Sequence, residues 1–131
     1  MQFISVLVAA AGAYAFGAFW YMKNAKAWVK AAGIECDENG KPVNGSNPAP
    51  FIVSAIMVII VAGMMRHIFQ MAELDTILEG FMGGSGLGLF IVAPWIVTNY
   101  AYSMRPIMLT LIDGGYAVIG CTIIGVLLAL F

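Results

Sequence analysis

Four long apolar stretches dominate the amino-acid sequence, at residues 3–22, 51–71, 77–102 and 107–131. Each has about the 20 residues that a helix needs to cross the hydrocarbon core of a bilayer. Only 10% of the residues are charged, against about 25% in ordinary soluble domains. A single soluble core has no room for so much apolar surface. The sequence therefore predicts an all-α membrane protein, one domain in which four transmembrane helices form an antiparallel bundle.

The basic residues predict the orientation of these spans. Five Lys and Arg lie in the first and third connections, and one lies in the second. By the positive-inside rule, loops 23–50 and 103–106 are cytoplasmic and both termini are outside. The six basic residues form no stripe, which argues against nucleic-acid binding. The N-terminal stretch has no preceding Lys or Arg, so we interpret it as a span rather than a cleaved signal.

The first connection divides into two parts. Residues 23–32 predict a short interfacial helix with lysines on its polar face, where they either attract lipid headgroups or are simply solvated. Gly33 is placed to end this helix, and the turn-forming residues of 34–50 predict an exposed, mobile loop. At the end of the second span, Arg66 is expected to reach the interface and pair with Glu73 on a continued helix. The residues assigned to the interface are Lys23, Lys26, Trp28, Lys30 and Arg66.

Small residues form two candidate packing faces. On the third span, Gly80, Gly84 and Gly88 repeat every four residues, which is typical of close helix contact in membranes. The alternatives are a face that lines a cavity or receives a lipid tail, and the spacing does not distinguish a contact within the chain from one with another chain. The first span has a comparable face, so we expect the first and third spans to be neighbours. That face consists of Ala9, Ala13 and Gly17.

One acidic residue lies inside the fourth span. Asp113 follows Pro106 by about 10 Å of helix rise, and an acid at the membrane centre costs about 2.5–3.5 kcal/mol. At 100° per residue, Trp95 and Asn99 lie close to the glycine face of the third span. Because Asn99 lies at a depth similar to that of Asp113, we expect a hydrogen bond between them. The acid is then either a structural clasp or a proton or ion site.

Several motifs resemble the bacterial domain-of-unknown-function family 1761. They are residues 18–21 (AFWY), 26–33 (KAWVKAAG), 99–100 (NY), 105–106 (RP) and 111–116 (LIDGGY), in which Gly114 stands where the family usually has Ala. The resemblance covers nearly the whole chain. It implies a small four-helix protein of the bacterial inner membrane, without an assigned activity, and it suggests one cytoplasmic-side cluster. The predicted buried polar cluster consists of Trp20, Tyr21, Asn99, Tyr102, Arg105, Asp113 and Tyr116.

No residue pattern spells out a reaction. The chain has one histidine, His67, and lacks a Ser–His pair, a zinc-binding helix motif and a phosphate loop. We therefore expect no enzyme, no metal and no cofactor. The first hypothesis is a structural or interaction subunit that associates with itself or with a larger membrane complex in the lipid bilayer. The alternative is a small oligomeric transporter or channel with a polar site around Asp113 and Asn99.

Overall fold

The computed structural model describes residues 2–131. Over these residues its secondary-structure elements are all helices. Four helical spans of 22 to 26 residues are long and apolar enough to cross a membrane, and a short helix follows the first. The predicted fold class is confirmed, and the chain is a multi-pass membrane protein. The helices are α1 (Gln2–Lys23), α2 (Ala25–Ala32), α3 (Ala49–Met71), α4 (Ile77–Leu87), α5 (Ala93–Tyr102) and α6 (Ile107–Ala129), and a π-helical turn (Gly88–Val92) joins α4 to α5 within the third span.

The fourth span, α6, is the centre of the helix packing. It contacts α1, α2, α3, α4, the π-helical turn and α5, and α1 also packs on α3. Among the residues described, α1 and α4 make no contact. The prediction that the first and third spans are neighbours is therefore wrong. The small-residue faces meet α6 instead. Gly80 and Gly84 of the third span approach the backbone of α6, and Gly17 of the first span fits against the ring of Tyr116.

Two local signals in the sequence fix helix ends, and the one at Gly33 is as predicted. The Thr76 hydroxyl accepts a hydrogen bond from the Glu79 amide at 3.2 Å, and the Glu79 carboxylate accepts one from the Thr76 amide at 2.9 Å. This reciprocal pair is a capping box at the start of α4. Gly33 ends α2 with a φ of 69°, a left-handed conformation that glycine adopts without strain.

The first loop after Gly33 is largely exposed but has a defined turn. Cys36 and Pro42 form an isolated antiparallel bridge. Inside it, the Asp37 carboxylate accepts hydrogen bonds from the Asn39 and Lys41 amides, both at 2.9 Å. Asp37 thus satisfies backbone donors that no helix or sheet satisfies there.

Arg66 has a different partner from the one predicted. Its Nη1 donates a hydrogen bond to the carbonyl oxygen of Leu128 at 3.0 Å, near the carboxyl end of α6. In the described chain it makes no ion pair with Glu73, so that prediction is wrong. The reason is that α3 ends at Met71, and Glu73 has a φ of 55°, which turns the chain away from the helical path. Arg66 consequently ties the second span to the fourth and is half-buried.

Candidate functional site

Asp113 is the centre of a polar site that joins three spans. The Tyr21 hydroxyl, at the end of α1, donates a hydrogen bond to Asp113 Oδ1 at 2.6 Å. The Tyr100 hydroxyl, on α5, donates one to Asp113 Oδ2 at 2.5 Å. Each carboxylate oxygen therefore accepts one bond from a neutral phenol, and the half-buried carboxylate links the first, third and fourth spans.

Asn99 is not part of this site. It is exposed, and Tyr100 contacts Asp113 in its place, so the predicted Asn99–Asp113 hydrogen bond is wrong. The extrapolation from Gly88 assumed a regular α-helix, but the π-helical turn lies between the glycines and α5. A π-helical turn contains about one residue more than an α-helical turn, so every later residue is rotated by about one position. Trp95 is accordingly 66% exposed.

Two further members of the predicted cluster lie outside it. Tyr102 is 87% exposed, and Arg105 is also exposed. Arg105 Nη2 donates a hydrogen bond to the carbonyl oxygen of Ala32 at 2.6 Å. This bond ties the turn between the third and fourth spans to the end of the short helix α2. Arg105 thus positions α2 rather than neutralising Asp113.

Aromatic rings surround the acid on the side of α1 and α2. The Tyr21 ring lies edge-on to Tyr116 with centroids 5.4 Å apart, and edge-on to Trp28 at 5.6 Å. The Tyr116 ring fits against Gly17, where a Cβ atom would lie 2.7 Å from a ring carbon. Gly17 therefore allows α1 and α6 to bring these rings beside Asp113. Sequence reasoning assigned Trp28 to the interface and missed its place in this group.

Trp20 fixes the same end of α1 to α6. Its indole Nε1 donates a hydrogen bond to the carbonyl oxygen of Ile112 at 2.9 Å. The indole lies over Gly115, where a Cβ atom would lie 3.0 Å from the ring. The lysines predicted at the interface, Lys23, Lys26 and Lys30, are all exposed.

The glycine face of the third span is closed against α6. A Cβ atom on Gly88 would lie 2.7 Å from the Val118 Cα, and one on Gly84 would lie 3.0 Å from the Thr122 Cα. Gly80 meets the backbone of Gly125 in the same way. On the first span, Ala9, Ala13 and Gly17 are buried within the chain. Both small-residue faces are therefore used for contacts inside one chain.

A groove with a volume of about 430 Å³ leads away from Asp113. It lies between α3 and α5, which make no contact with each other in the described part of the chain, and its floor is α6. Its lining changes from Asp113 and aromatic rings at one end to aliphatic side chains at the other. The lining residues are Ala13, Tyr21, Trp28, Val58, Val61, Val92, Ile96, Tyr100, Asp113, Tyr116, Ala117, Gly120, Cys121 and Ile124.

The family of the chain follows from comparison with known sequences. The sequence profile of one family, described as "Protein of unknown function (DUF1761)", matches residues 4–129. The chain belongs to DUF1761. The resemblance carried by the aromatic, Asn-Tyr and Leu-Ile-Asp motifs is thereby confirmed at the level of the family. No curated protein and no solved structure matches the chain significantly.

DUF1761 is described as a family of unknown function, so the chemistry open to this chain depends on the residues of its site. Within residues 2–131, no three His, Cys, Asp or Glu side chains are grouped so as to hold a metal ion. The site offers instead one carboxylate, two phenol donors and an apolar groove. Such a set suits binding and positioning, since apolar walls with a few convergent polar groups are typical of ligand sites.

Proposed function

We propose that this DUF1761 protein is a non-enzymatic subunit of the bacterial cytoplasmic membrane that works by associating with another membrane protein, a second copy or a larger complex. The observation that carries the proposal is the exposure of the second span. In α3 only 11% of the apolar window is buried, against 39% in α6. Because both small-residue faces are filled within the chain, α3 is the span with the most surface left for a neighbour.

The outward surface of α3 consists of large apolar side chains. On its inner side, α3 packs mainly on α1 and only slightly on α6 and α4. A helix surface of this kind is equally suited to lipid and to another protein, so the test must separate the two. The exposed large side chains of this span are Phe51, Ile52, Val53, Ile56, Met57, Ile59, Ile60, Val61, Met64 and Met71.

Native mass spectrometry after polymer extraction from the original membrane tests the association. We expect a complex of fixed stoichiometry for the natural protein. Ile56→Trp, on the outward face of α3, should abolish it. Leu89→Trp is the matched control, because the two side chains are 49% and 50% exposed and Leu89 lies on the third span. A chain that is always extracted alone, or equal loss in both variants, would refute the proposal.

The proposed orientation has loops 23–50 and 103–106 in the cytoplasm and both termini outside. Its support is the distribution of Lys and Arg, five on the proposed cytoplasmic side and one on the other. An enzyme reporter fused after Phe131 should be active only if it functions outside the cytoplasm. A reporter that is active only inside would reverse the orientation.

The position of Asp113 favours a second candidate function, a small transporter or channel. Asp113 lines the groove between α3 and α5. Acidic residues inside membranes commonly mark ion or proton routes. Asn99 is not part of this version, because it is exposed. Flux of protons, alkali ions or small organic cations into proteoliposomes, lost in Asp113→Asn, would support it. Equal flux in both proteins would exclude Asp113 from the route.

A further inference from the structure

We propose that the groove binds an organic ammonium ion with an apolar tail, with the ammonium group beside Asp113 and the tail along α6. The inference goes beyond the proposed function and holds for the isolated chain, whether or not it associates with a partner. Three independent features of the groove carry it. They are the charge of the acid, the rings around it and the shape of the apolar part.

The first feature is the missing counter-charge. Both hydrogen bonds to Asp113 come from neutral phenols, Tyr21 and Tyr100, and no Lys, Arg or His of the described residues pairs with it. Arg105, the nearest cation along the chain, is engaged with the Ala32 carbonyl. A carboxylate oxygen accepts two hydrogen bonds, so each oxygen of Asp113 retains one free acceptor position. A charged acid at this depth is stabilised most by a cation, which supplies the positive charge that the chain does not place beside it.

The second feature is the aromatic surround. Tyr21, Trp28, Tyr100 and Tyr116 all line the groove at the end that holds Asp113. The faces of Trp and Tyr rings attract cations, and alkylated ammonium groups are recognised by groups of such rings. A metal ion would need several oxygen or nitrogen ligands, and this end of the groove offers one carboxylate and phenols. The chemistry therefore fits an organic cation better than an inorganic one.

The third feature is the apolar remainder of the groove. From Asp113 to Ile124 the floor follows α6 for eleven residues, about 16 Å of helix. The walls there are aliphatic, with Val58 and Val61 on α3 and Val92 and Ile96 on the third span. Because a hydrocarbon core is about 30 Å thick, the groove covers about half of it. Since Asp113 lies about 10 Å into the fourth span, a ligand with its head at Asp113 would lay its tail along α6 across the middle of the bilayer.

Equilibrium binding of hexylammonium to the purified chain in an uncharged maltoside detergent tests the proposal, because its N–H groups can donate to the free acceptor positions of Asp113. Calorimetry against empty micelles gives the blank, and hexyl sulfate serves as the anionic counterpart with the same tail. We expect saturable binding of the ammonium compound only. Asp113→Asn, which keeps the size of the side chain, should weaken binding by at least about tenfold, since it removes one partner of a charge pair.

A control and a second variant separate the site from general charge and from folding. Asp75→Asn removes an exposed acid beside the start of α4, well away from the groove lining, and should leave binding unchanged. Trp28→Leu alters a ring on the short helix without touching the hydrogen bonds of Asp113, and should weaken binding by severalfold through the lost cation–π contact. If Asp113→Asn does not fold, Trp28→Leu still decides the matter.

The natural source of the ammonium group is a membrane lipid or a soluble amine, and competition distinguishes them. Added phosphatidylethanolamine should displace the probe if the site accepts an ammonium lipid, whereas phosphatidylglycerol should not. Displacement by neither lipid assigns the site to soluble amines. Three results would overturn the proposal. They are a heat of binding for the ammonium probe no larger than that of empty micelles, equal binding of hexyl sulfate, and unaltered binding in both Asp113→Asn and Trp28→Leu.

Discussion

Replacing Gly84 by alanine tests the close contact between α4 and α6. Gly84 lies on α4 against the backbone of α6, and a Cβ atom there would collide with the Cys121 carbonyl oxygen and lie 3.0 Å from the Thr122 Cα. Because these are backbone atoms, no side chain can rotate away, and the two helices have to separate. Gly86 is the matched control. It lies two residues further along the same helix, and a Cβ atom added to it would have no atom within 4 Å.

The expected magnitude follows from two opposing effects. Alanine in a helix is favoured over glycine by up to about 1 kcal/mol, and this gain applies to both variants. Overpacking a well-filled contact costs about 1–3 kcal/mol, and the upper end applies at Gly84 because backbone would have to move. Gly84→Ala should therefore lower the free energy of unfolding by about 2 kcal/mol, while Gly86→Ala raises it by up to about 1 kcal/mol.

Unfolding in mixed detergent micelles, followed by circular dichroism as the fraction of denaturing detergent rises, measures both variants. The informative quantity is the difference between them, about 3 kcal/mol, because the change in helix propensity cancels. Equal stability of the Gly84 and Gly86 variants would refute the reasoning. It would mean that the third and fourth spans do not approach each other as closely as the structure shows.

Three further predictions concern the site, a helix start and the orientation. Tyr21→Phe should lower the free energy of unfolding by about 1–2 kcal/mol, because it deletes a hydrogen bond to the half-buried carboxylate of Asp113. Asn99→Leu should change it little. Thermal melting in detergent compares the two variants, and the reverse order would restore the rejected Asn99–Asp113 pairing. Thr76→Ala should cost about 1 kcal/mol in the same assay, since it removes a helix cap, and an unchanged melting temperature would contradict that. In inside-out membrane vesicles, an impermeant maleimide should label Cys36 but not the buried Cys121, and labelling of Cys36 only in right-side-out vesicles would contradict the orientation.

The third span shows most clearly where sequence reasoning succeeded and failed. The glycine spacing predicted a close contact face, and Gly80, Gly84 and Gly88 do meet another helix. The partner was wrong, because spacing reports that a face is smooth but not which helix covers it. Beyond Gly88 the residues facing α6 shifted by about one position, from Asn99 to Tyr100, since the π-helical turn is not encoded in any simple periodicity.

The sequence by itself determined the features that depend on neighbours along the chain. Apolar stretches of sufficient length require helices in a bilayer, because backbone groups in hydrocarbon must bond within their own segment. The capping box at Thr76 and the left-handed Gly33 are likewise local, and the depth of Asp113 follows from its distance to the turn. Only the tertiary structure decided which side chains meet: the phenols on Asp113, the Arg66 bond to α6 and the groove between α3 and α5. These depend on the rotation of each helix about its own axis, where a change of one residue is about 100° and replaces one neighbour by another.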